Sequence, residues 1–212
     1  MPAELLRIHP RNPEGRKIDR VVDYLRRGAV AIYPTDSVYA MGCNLHNKRA
    51  VEKLSQILHT KPSKLTLSFI CADISQASEY VRRIDTPVYK LMNRSLPGPY
   101  TFILEAGSRV SRFLDSNRKT VGIRVPDHPI TQALVARLGN PLVTASVKDE
   151  DTIRQYTTDP DEIYEDFRHE VDIVIDGGPG GNIPSTVVDC SGDRILLVRE
   201  GLGPIDGMAL DV

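Results

Sequence analysis

The order in which hydrophobic periodicity changes along the chain constrains the fold more than any other feature. Ile18, Val21, Val22 and Leu25 recur at helical spacing over residues 18–27, with Gly28 as a stop, and then give way to the apolar run 29–33. Helical spacing returns over 48–58 through Val51, Leu54, Ser55 and Leu58, and shorter helical patterns cover 74–81 and 87–93. Strand patterns fall at 5–8 and 65–71, and Pro97-Gly98-Pro99 makes a firm break. The second half reads as strands at 100–105, 119–125, 141–147, 172–176, 186–190 and 195–199. Between them lie one helical turn at 110–114, a helix at 129–138 ended by Gly139, and a helix at 160–167. The last two strands form a hairpin through Ser191-Gly192-Asp193. Strands that alternate with helices and then follow one another directly predict a mixed α/β (α+β) sheet with helices packed on it, not a simple doubly wound one. No repeat, low-complexity tract or linker interrupts the pattern, so one domain over 1–212 is expected.

The stretch Tyr33-Pro34-Thr35-Asp36-Ser37-Val38-Tyr39 leaves the 29–33 strand through a proline that fixes its own φ and biases Tyr33 towards extended geometry. Thr35, Asp36 and Ser37 place three short polar side chains at one bend. Such a bend is either a plain polar turn or a ligand site beyond a strand's carboxyl end. Strand alternation helps to decide. In Thr120-Val121-Gly122-Ile123-Arg124-Val125 the three apolar residues share one face. Thr120, Gly122 and Arg124 share the other, which describes a small recess with a cation at its end. Thr144 and Ser146 line up in the same way, and Arg199 closes the run 195–198 just before Gly201. If these strands are neighbours, two arginines and several hydroxyls converge, and a planar guanidinium suits carboxylate or phosphate oxygens. A small anion is the expected ligand. Alone, each arginine could equally sit at a strand end in water.

Composition narrows the function classes. With 27 basic and 28 acidic residues the formal charge is −1, so only a local patch could bind a polyanion. The amino end, with Arg11, Arg16, Lys17, Arg20, Arg26 and Arg27, is basic, and 149–172 is acidic. Three widely spaced cysteines argue for reduced thiols. No run is long enough to span a bilayer, so no membrane partner and a cytoplasmic location are expected. Gly177-Gly178-Pro179-Gly180-Gly181-Asn182 lacks the Lys-Ser/Thr of a Walker loop and the third glycine of a dinucleotide fingerprint, and reads as a flexible loop. The scattered histidines give no metal motif, so no permanently bound metal is expected. His59, Lys61 and Lys64 form a basic loop that faces either phosphates or water.

Four motifs in order resemble the YrdC-like family. They are Tyr33-Pro34-Thr35-Asp36-Ser37-Val38-Tyr39, Thr120-Val121-Gly122-Ile123-Arg124-Val125-Pro126, Ser185-Thr186-Val187-Val188-Asp189 and Val198-Arg199-Glu200-Gly201. The resemblance runs over about residues 8–203. The segments Ile8-His9-Pro10-Arg11-Asn12-Pro13 and Pro97-Gly98-Pro99-Tyr100-Thr101-Phe102 look closest to the YciO branch. It implies a YrdC/RibB-like fold, a twisted mixed and largely antiparallel open sheet with a concave basic pocket. It also implies binding of ATP or AMP and of L-threonine or a related small anion, and weak or altered threonylcarbamoyl-AMP synthase (nucleotidyltransferase) chemistry from threonine, bicarbonate and ATP with Mg2+. That reaction belongs to a tRNA adenosine modification. The second function implied is non-catalytic binding of double-stranded RNA or tRNA on the same basic surface.

Carried over by position, the resemblance assigns Thr35, Arg124, Thr144 and Thr186 to the substrate and Thr120, Ser146, Ser185 and Arg199 to the nucleotide. The strand-face argument reaches Thr120, Arg124, Ser146 and Arg199 independently. Two departures from the synthases stand out. Their Lys-x-Arg pair is replaced here by His59-Thr60-Lys61, and their Ser-x-Asn by Ser146-Val147-Lys148. His59, Lys61 and Lys148 are therefore the candidates for altered catalytic positions. A histidine is mostly neutral at pH 7, and lysine cannot make arginine's bidentate contact.

Overall fold

The structure is a computed structural model that describes residues 2–59, 68–114, 119–147 and 156–208. Ten strands form one sheet: β1 (Glu4–Arg7), β2 (Val30–Tyr33), β3 (Ala40–Asn44), β4 (Ser68–Ile70), β5 (Tyr100–Glu105), β6 (Thr120–Arg124), β7 (Leu142–Ser146), β8 (Ile173–Asp176), β9 (Thr186–Asp189) and β10 (Leu196–Arg199). Their spatial order is β1-β8-β2-β3-β7-β4-β6-β5-β9-β10. Five pairings are antiparallel (β2–β3, β3–β7, β4–β7, β5–β6, β9–β10) and four are parallel (β1–β8, β2–β8, β4–β6, β5–β9). The sheet is mixed, as the alternation of patterns predicts, and mostly antiparallel, as the family resemblance implies.

Seven helices complete the described architecture: α1 (Gly15–Arg26), α2 (Lys48–Ile57), α3 (Ile74–Ser78), α4 (Thr86–Ser95), α5 (Ser108–Leu114), α6 (Pro129–Leu138) and α7 (Pro160–Phe167). Local chemistry fixes their ends. Asn47, Asp73 and Asp159 accept backbone N–H groups of the first turns of α2, α3 and α7. Gly139 adopts φ 80° past the end of α6 and donates its N–H to Val135, the glycine C-cap that the sequence announces. None of the described helices is long and apolar enough to cross a membrane.

The helices cover both faces of the sheet. Ile18, Val21, Val22 and Leu25 of α1 join Ile130, Leu134, Val135 and Leu138 of α6 against Ala31, Tyr33, Ala40, Ile70 and Leu142. On the other face Ala50, Val51 and Leu54 of α2 pack with Met41, Cys43, Phe69, Val121, Ile123 and Val143. Fully burying one such leucine contributes on the order of 1.5–3 kcal/mol, so each amphipathic stripe anchors its helix.

Two expectations from the sequence are corrected here. The polar bend after β2 ends sooner than expected, because the chain turns back at Ala40 to form β3. All five β3 residues are buried, so no alternation marks the strand. The helix expected over 74–81 stops at Ser78, and Val81 instead bridges to Ala106. Of the strand expected at 65–71 the structure describes Ser68–Ile70, while 65–67 lie outside the described residues.

Gly42 in β3 is where the sheet's geometry admits no side chain. A Cβ there would lie 2.4 Å from the Val143 carbonyl oxygen and 2.6 Å from the Tyr33 hydroxyl. Gly42→Ala must displace a neighbouring backbone, and a loss of about 1–3 kcal/mol of stability is expected from urea unfolding midpoints.

Candidate functional site

The arrangement starts from the curl of the sheet. Four strand spacings separate β2 from β6, on the order of 19 Å on a flat sheet at ~4.8 Å per spacing. Yet Arg124, the last residue of β6, donates from one terminal nitrogen to Ser37 Oγ at 2.9 Å, Asp36 Oδ1 at 3.3 Å and Thr35 Oγ1 at 3.4 Å. The sheet therefore twists and coils until the turn after β2 arches over the end of β6, leaving a concave surface between them. Pro34 starts that turn, and its carbonyl accepts from Thr131 Oγ1 on α6 at 2.5 Å. Thr35 closes the turn by donating to the Val38 carbonyl at 2.7 Å.

Arg124 is 4 % exposed, and its Nε is buried with no hydrogen-bond partner among the described residues. An unsatisfied buried donor on a charged group is costly, and an anionic oxygen is what would relieve it. Burial weighs against the Arg124 charge most, Asp36 and Tyr33 offset part of it, and Arg199 adds to it. Asp36 is likewise pushed above the usual aspartate range by burial, against the opposing pull of Arg124 and of the Asp127 N–H. Asp36 Oδ2 accepts that N–H at 2.8 Å, which ties the turn to the connection between β6 and α6.

A second group forms around Ser185. Its hydroxyl lies 2.8 Å from Thr101 Oγ1 on β5, and both side chains are buried. Arg199 on β10 donates from Nη2 and Nε to the Ser185 carbonyl at 2.8 and 3.3 Å. The charge of Arg199 is felt at Arg124, so the two arginines share one electrostatic neighbourhood.

The remaining positions divide. Val121, Ile123 and Val125 do pack in the core, and Gly122 and Arg124 take the opposite face. The recess at Gly122 is not empty, since a Cβ there would meet Ser68 Oγ at 2.5 Å and Thr101 Cγ2 at 3.2 Å. Thr120 is exposed at the start of β6. Ser146 pairs with Ala40 at the mouth of the turn and is half-buried. Thr144 is buried beneath the turn, accepting from Tyr33 Oη at 3.1 Å and donating to the Met41 carbonyl at 3.2 Å. Thr186 pairs with Tyr100, a residue of the opposite core, and its hydroxyl donates to Gly203 and accepts from the Gly201 N–H. It holds the 201–203 segment instead of facing Arg124. His59 is exposed just past α2 with φ 47°. Lys61 and Lys148 lie outside the described residues.

Two residues at this site carry more than the sequence assigns them. Asp36 is named in the bend without a role of its own, although its place beside Thr35 was a usable signal. His128 gives no signal at all. It precedes α6, its Nδ1 is buried without a partner among the described residues, and burial lowers its proton affinity so that the imidazole is neutral at pH 7. Both line a cavity of about 380 Å³ with Thr35, Ser37 and the 177–182 segment. That segment is a packed wall, not a free loop. Tyr39 Oη accepts the Gly177 N–H and donates to the Gly178 carbonyl, and a Cβ on Gly181 would lie 2.0 Å from the Ser37 carbonyl oxygen.

Other chemistries find less support. Cys43, Cys71 and Cys190 are buried free thiols, all pushed up by burial, Cys190 to about 12, which disfavours the thiolate a nucleophile needs. Among the described residues no three His, Cys, Asp or Glu side chains cluster in a way that could hold a metal ion.

Comparison with known proteins agrees with this architecture. The Sua5/YciO/YrdC family, described as telomere recombination, matches residues 23–201. The uncharacterised protein YciO of Escherichia coli K12 is 39 % identical over 205 residues, covering 96 % of this chain and 98 % of YciO. The crystal structure of E. coli YciO superposes with a TM-score of 0.87 at 38 % identity, over 96 % of this chain and 98 % of that one. Threonylcarbamoyl-AMP synthase of Vibrio vulnificus YJ016 is 30 % identical over 187 residues, 87 % of this chain and 98 % of the synthase. Sua5 of P. abyssi, in complex with L-threonine, gives a TM-score of 0.83 at 26 % identity, over 93 % of this chain and 57 % of Sua5.

The buried Asp36 provides a test of the electrostatics. Its native state binds a proton more tightly than the unfolded chain does, so stability contributed by this group falls as pH rises from its ordinary 3.8 to its raised native value. The stability difference between wild type and Asp36→Asn is expected to drop across that window and to level off above it. Urea unfolding at about pH 3 to 7 measures it. A difference that grows with pH would mean that Arg124 outweighs burial.

Proposed function

The chain belongs to the Sua5/YciO/YrdC family, and from that premise we propose that it is a YciO-type nucleotide-binding protein. It takes ATP or AMP together with a small anionic substrate, L-threonine or a close relative, and has weak or altered L-threonylcarbamoyladenylate synthase activity. The observation that carries this reading is the buried Arg124, with an unpartnered Nε beside Thr35, Asp36 and Ser37. The threonylcarbamoyl-AMP synthase relative and the threonine complex of Sua5 support the same assignment.

In this reading Arg124 binds the substrate carboxylate, while Thr35 and Ser37 fix the guanidinium's direction. Arg199, with Ser185 and Thr101 behind it, meets the phosphate oxygens of the nucleotide. The carbamate oxygen of the threonine adduct forms a bond to the α-phosphorus. The bond from that phosphorus to the bridging oxygen breaks, and its electron pair leaves with pyrophosphate. No protein nucleophile is needed. The chain's contribution is to align the two anions and to screen the charge that builds between them. Magnesium enters as the nucleotide's own counterion.

His59 and Lys61 replace the Lys-x-Arg pair of the synthases, and Lys148 replaces their asparagine. Each change weakens phosphate positioning without removing the carboxylate site, which is why a reduced rate is proposed. Incubation with ATP, Mg2+, L-threonine and bicarbonate, followed by mass detection of the adenylate and of pyrophosphate, is expected to show product formed more slowly than by a threonylcarbamoyl-AMP synthase run alongside. Arg124→Ala and Arg199→Ala are each expected to weaken ligand binding by about tenfold or more, as loss of a hydrogen bond to a charged group implies. Nucleotide affinity unchanged in both variants overturns the proposal. Double-stranded RNA or tRNA binding ranks second, because net charge is −1 and Lys17 and Arg20 of the basic amino end are engaged by Glu14 and Glu4. It would show itself as RNA affinity falling steeply with salt.

A further inference from the structure

Arg124 and Asp36 are buried side by side, with side chains 5 % and 8 % exposed, yet they do not satisfy each other. A carboxylate placed only to neutralise a guanidinium meets it fork to fork through two short bonds. Here a single contact of 3.3 Å joins them, and Arg124 Nε is left without a partner among the described residues. Asp36 has capacity to spare as well. An ionised carboxylate offers about four lone-pair sites, and Arg124, the Asp127 N–H and its own backbone N–H engage three of them. The pair therefore presents one unused donor and one unused acceptor position. Asp36 also lines the cavity of about 380 Å³, so its carboxylate is within reach of a ligand there.

A simple anion answers only half of this arrangement. It can accept from Arg124, but it then lies against the Asp36 charge in a poorly solvated site, where like charges repel strongly. A zwitterion answers both halves. Its carboxylate accepts from the arginine, and its ammonium, one carbon away, donates to the aspartate.

We propose that Asp36 is a specificity-determining residue that accepts the substrate's α-ammonium, so that the Arg124 site selects free α-amino acids over carboxylates that lack the amine. This rests on the amino-acid substrate proposed above and names the group that recognises its amine. Asp36 is thereby a direct ligand of the substrate, and the bond to the Asp127 N–H holds it in place for that role.

Calorimetric titration of wild type and Asp36→Asn with L-threonine and with 3-hydroxybutanoate, which keeps the carboxylate and hydroxyl but has no ammonium, tests this. Asparagine keeps an acceptor for the Asp127 N–H, and thermal unfolding of the variant verifies that it is folded. Wild type is expected to bind L-threonine at least about tenfold more tightly than 3-hydroxybutanoate, a margin set by one charge-assisted hydrogen bond. In Asp36→Asn most of that margin is expected to vanish, through weaker threonine binding with 3-hydroxybutanoate affinity unchanged or improved. Equal affinity of wild type for the two ligands overturns the inference without recourse to the variant. So does a preference that survives intact in Asp36→Asn. In both cases L-threonine still binds and the proposed function stands. Failure of L-threonine to bind wild type at all overturns the inference and the amino-acid reading together.

Discussion

Arg124 reaches the turn after β2 across three intervening strands, and most of the molecule's particular shape follows from that contact. A flat sheet would hold the two ends far apart, so the contact exists only because the strands coil. Coiling of that degree demands places where neighbouring layers nearly touch, and glycines occupy them. Tyr33 crosses over β3 to reach Thr144 because Gly42 leaves room for its ring. Ser68 and Thr101 close in on β6 because Gly122 has no side chain to keep them away. The concave face is thus floored by short hydroxyl side chains and backbone, and its only buried cation stands among the described residues at its edge. Hydrophobic burial by α1 and α6 on one face and α2 on the other supplies the stability that such a buried polar surface needs.

The cost of the arrangement is electrostatic. Burial works against the charge of both Arg124 and Asp36, and the link between them is too sparse to return the whole penalty. Replacing such a pair by apolar residues often stabilises a protein, so its presence here speaks for binding and not for structure. Thr35 and Ser37 reinforce this by fixing one terminal nitrogen of the guanidinium while Nε is left over. The group is held in place but not used up.

Much of this was legible in the sequence where a single periodicity governs. The strand at 100–105 and the helices at 129–138 and 160–167 coincide with their predicted limits, because proline or glycine punctuates their ends. The alternation in β6 placed Arg124 on the face opposite Val121, Ile123 and Val125 correctly, although that side is buried as well. β3 escaped because burial on both faces erases alternation. Thr186 shows a subtler limit. Its identity suits a pocket, but the face it takes depends on the register between β5 and β9, which is set by distant pairing and not by neighbours in the chain. His128 and the glycine-rich wall belong to the same class, since they matter only through neighbours far away in the chain, such as Tyr39 for Gly177. The relation of Asp36 to Arg124 is of this kind too.

The wall formed by Gly177, Gly180 and Gly181 has a consequence for how such a cavity can diversify. These glycines sit against Pro34, Tyr39 and the Ser37 backbone so closely that none of them can acquire a side chain without moving what it touches. That side of the cavity has a fixed contour, made of main chain. A change in the size or polarity of what is accepted falls instead to side chains that share the lining, such as Asp36, His128 and Leu202 from three separate segments. The main-chain wall sets the contour, and those side chains are where a new preference can be written one residue at a time.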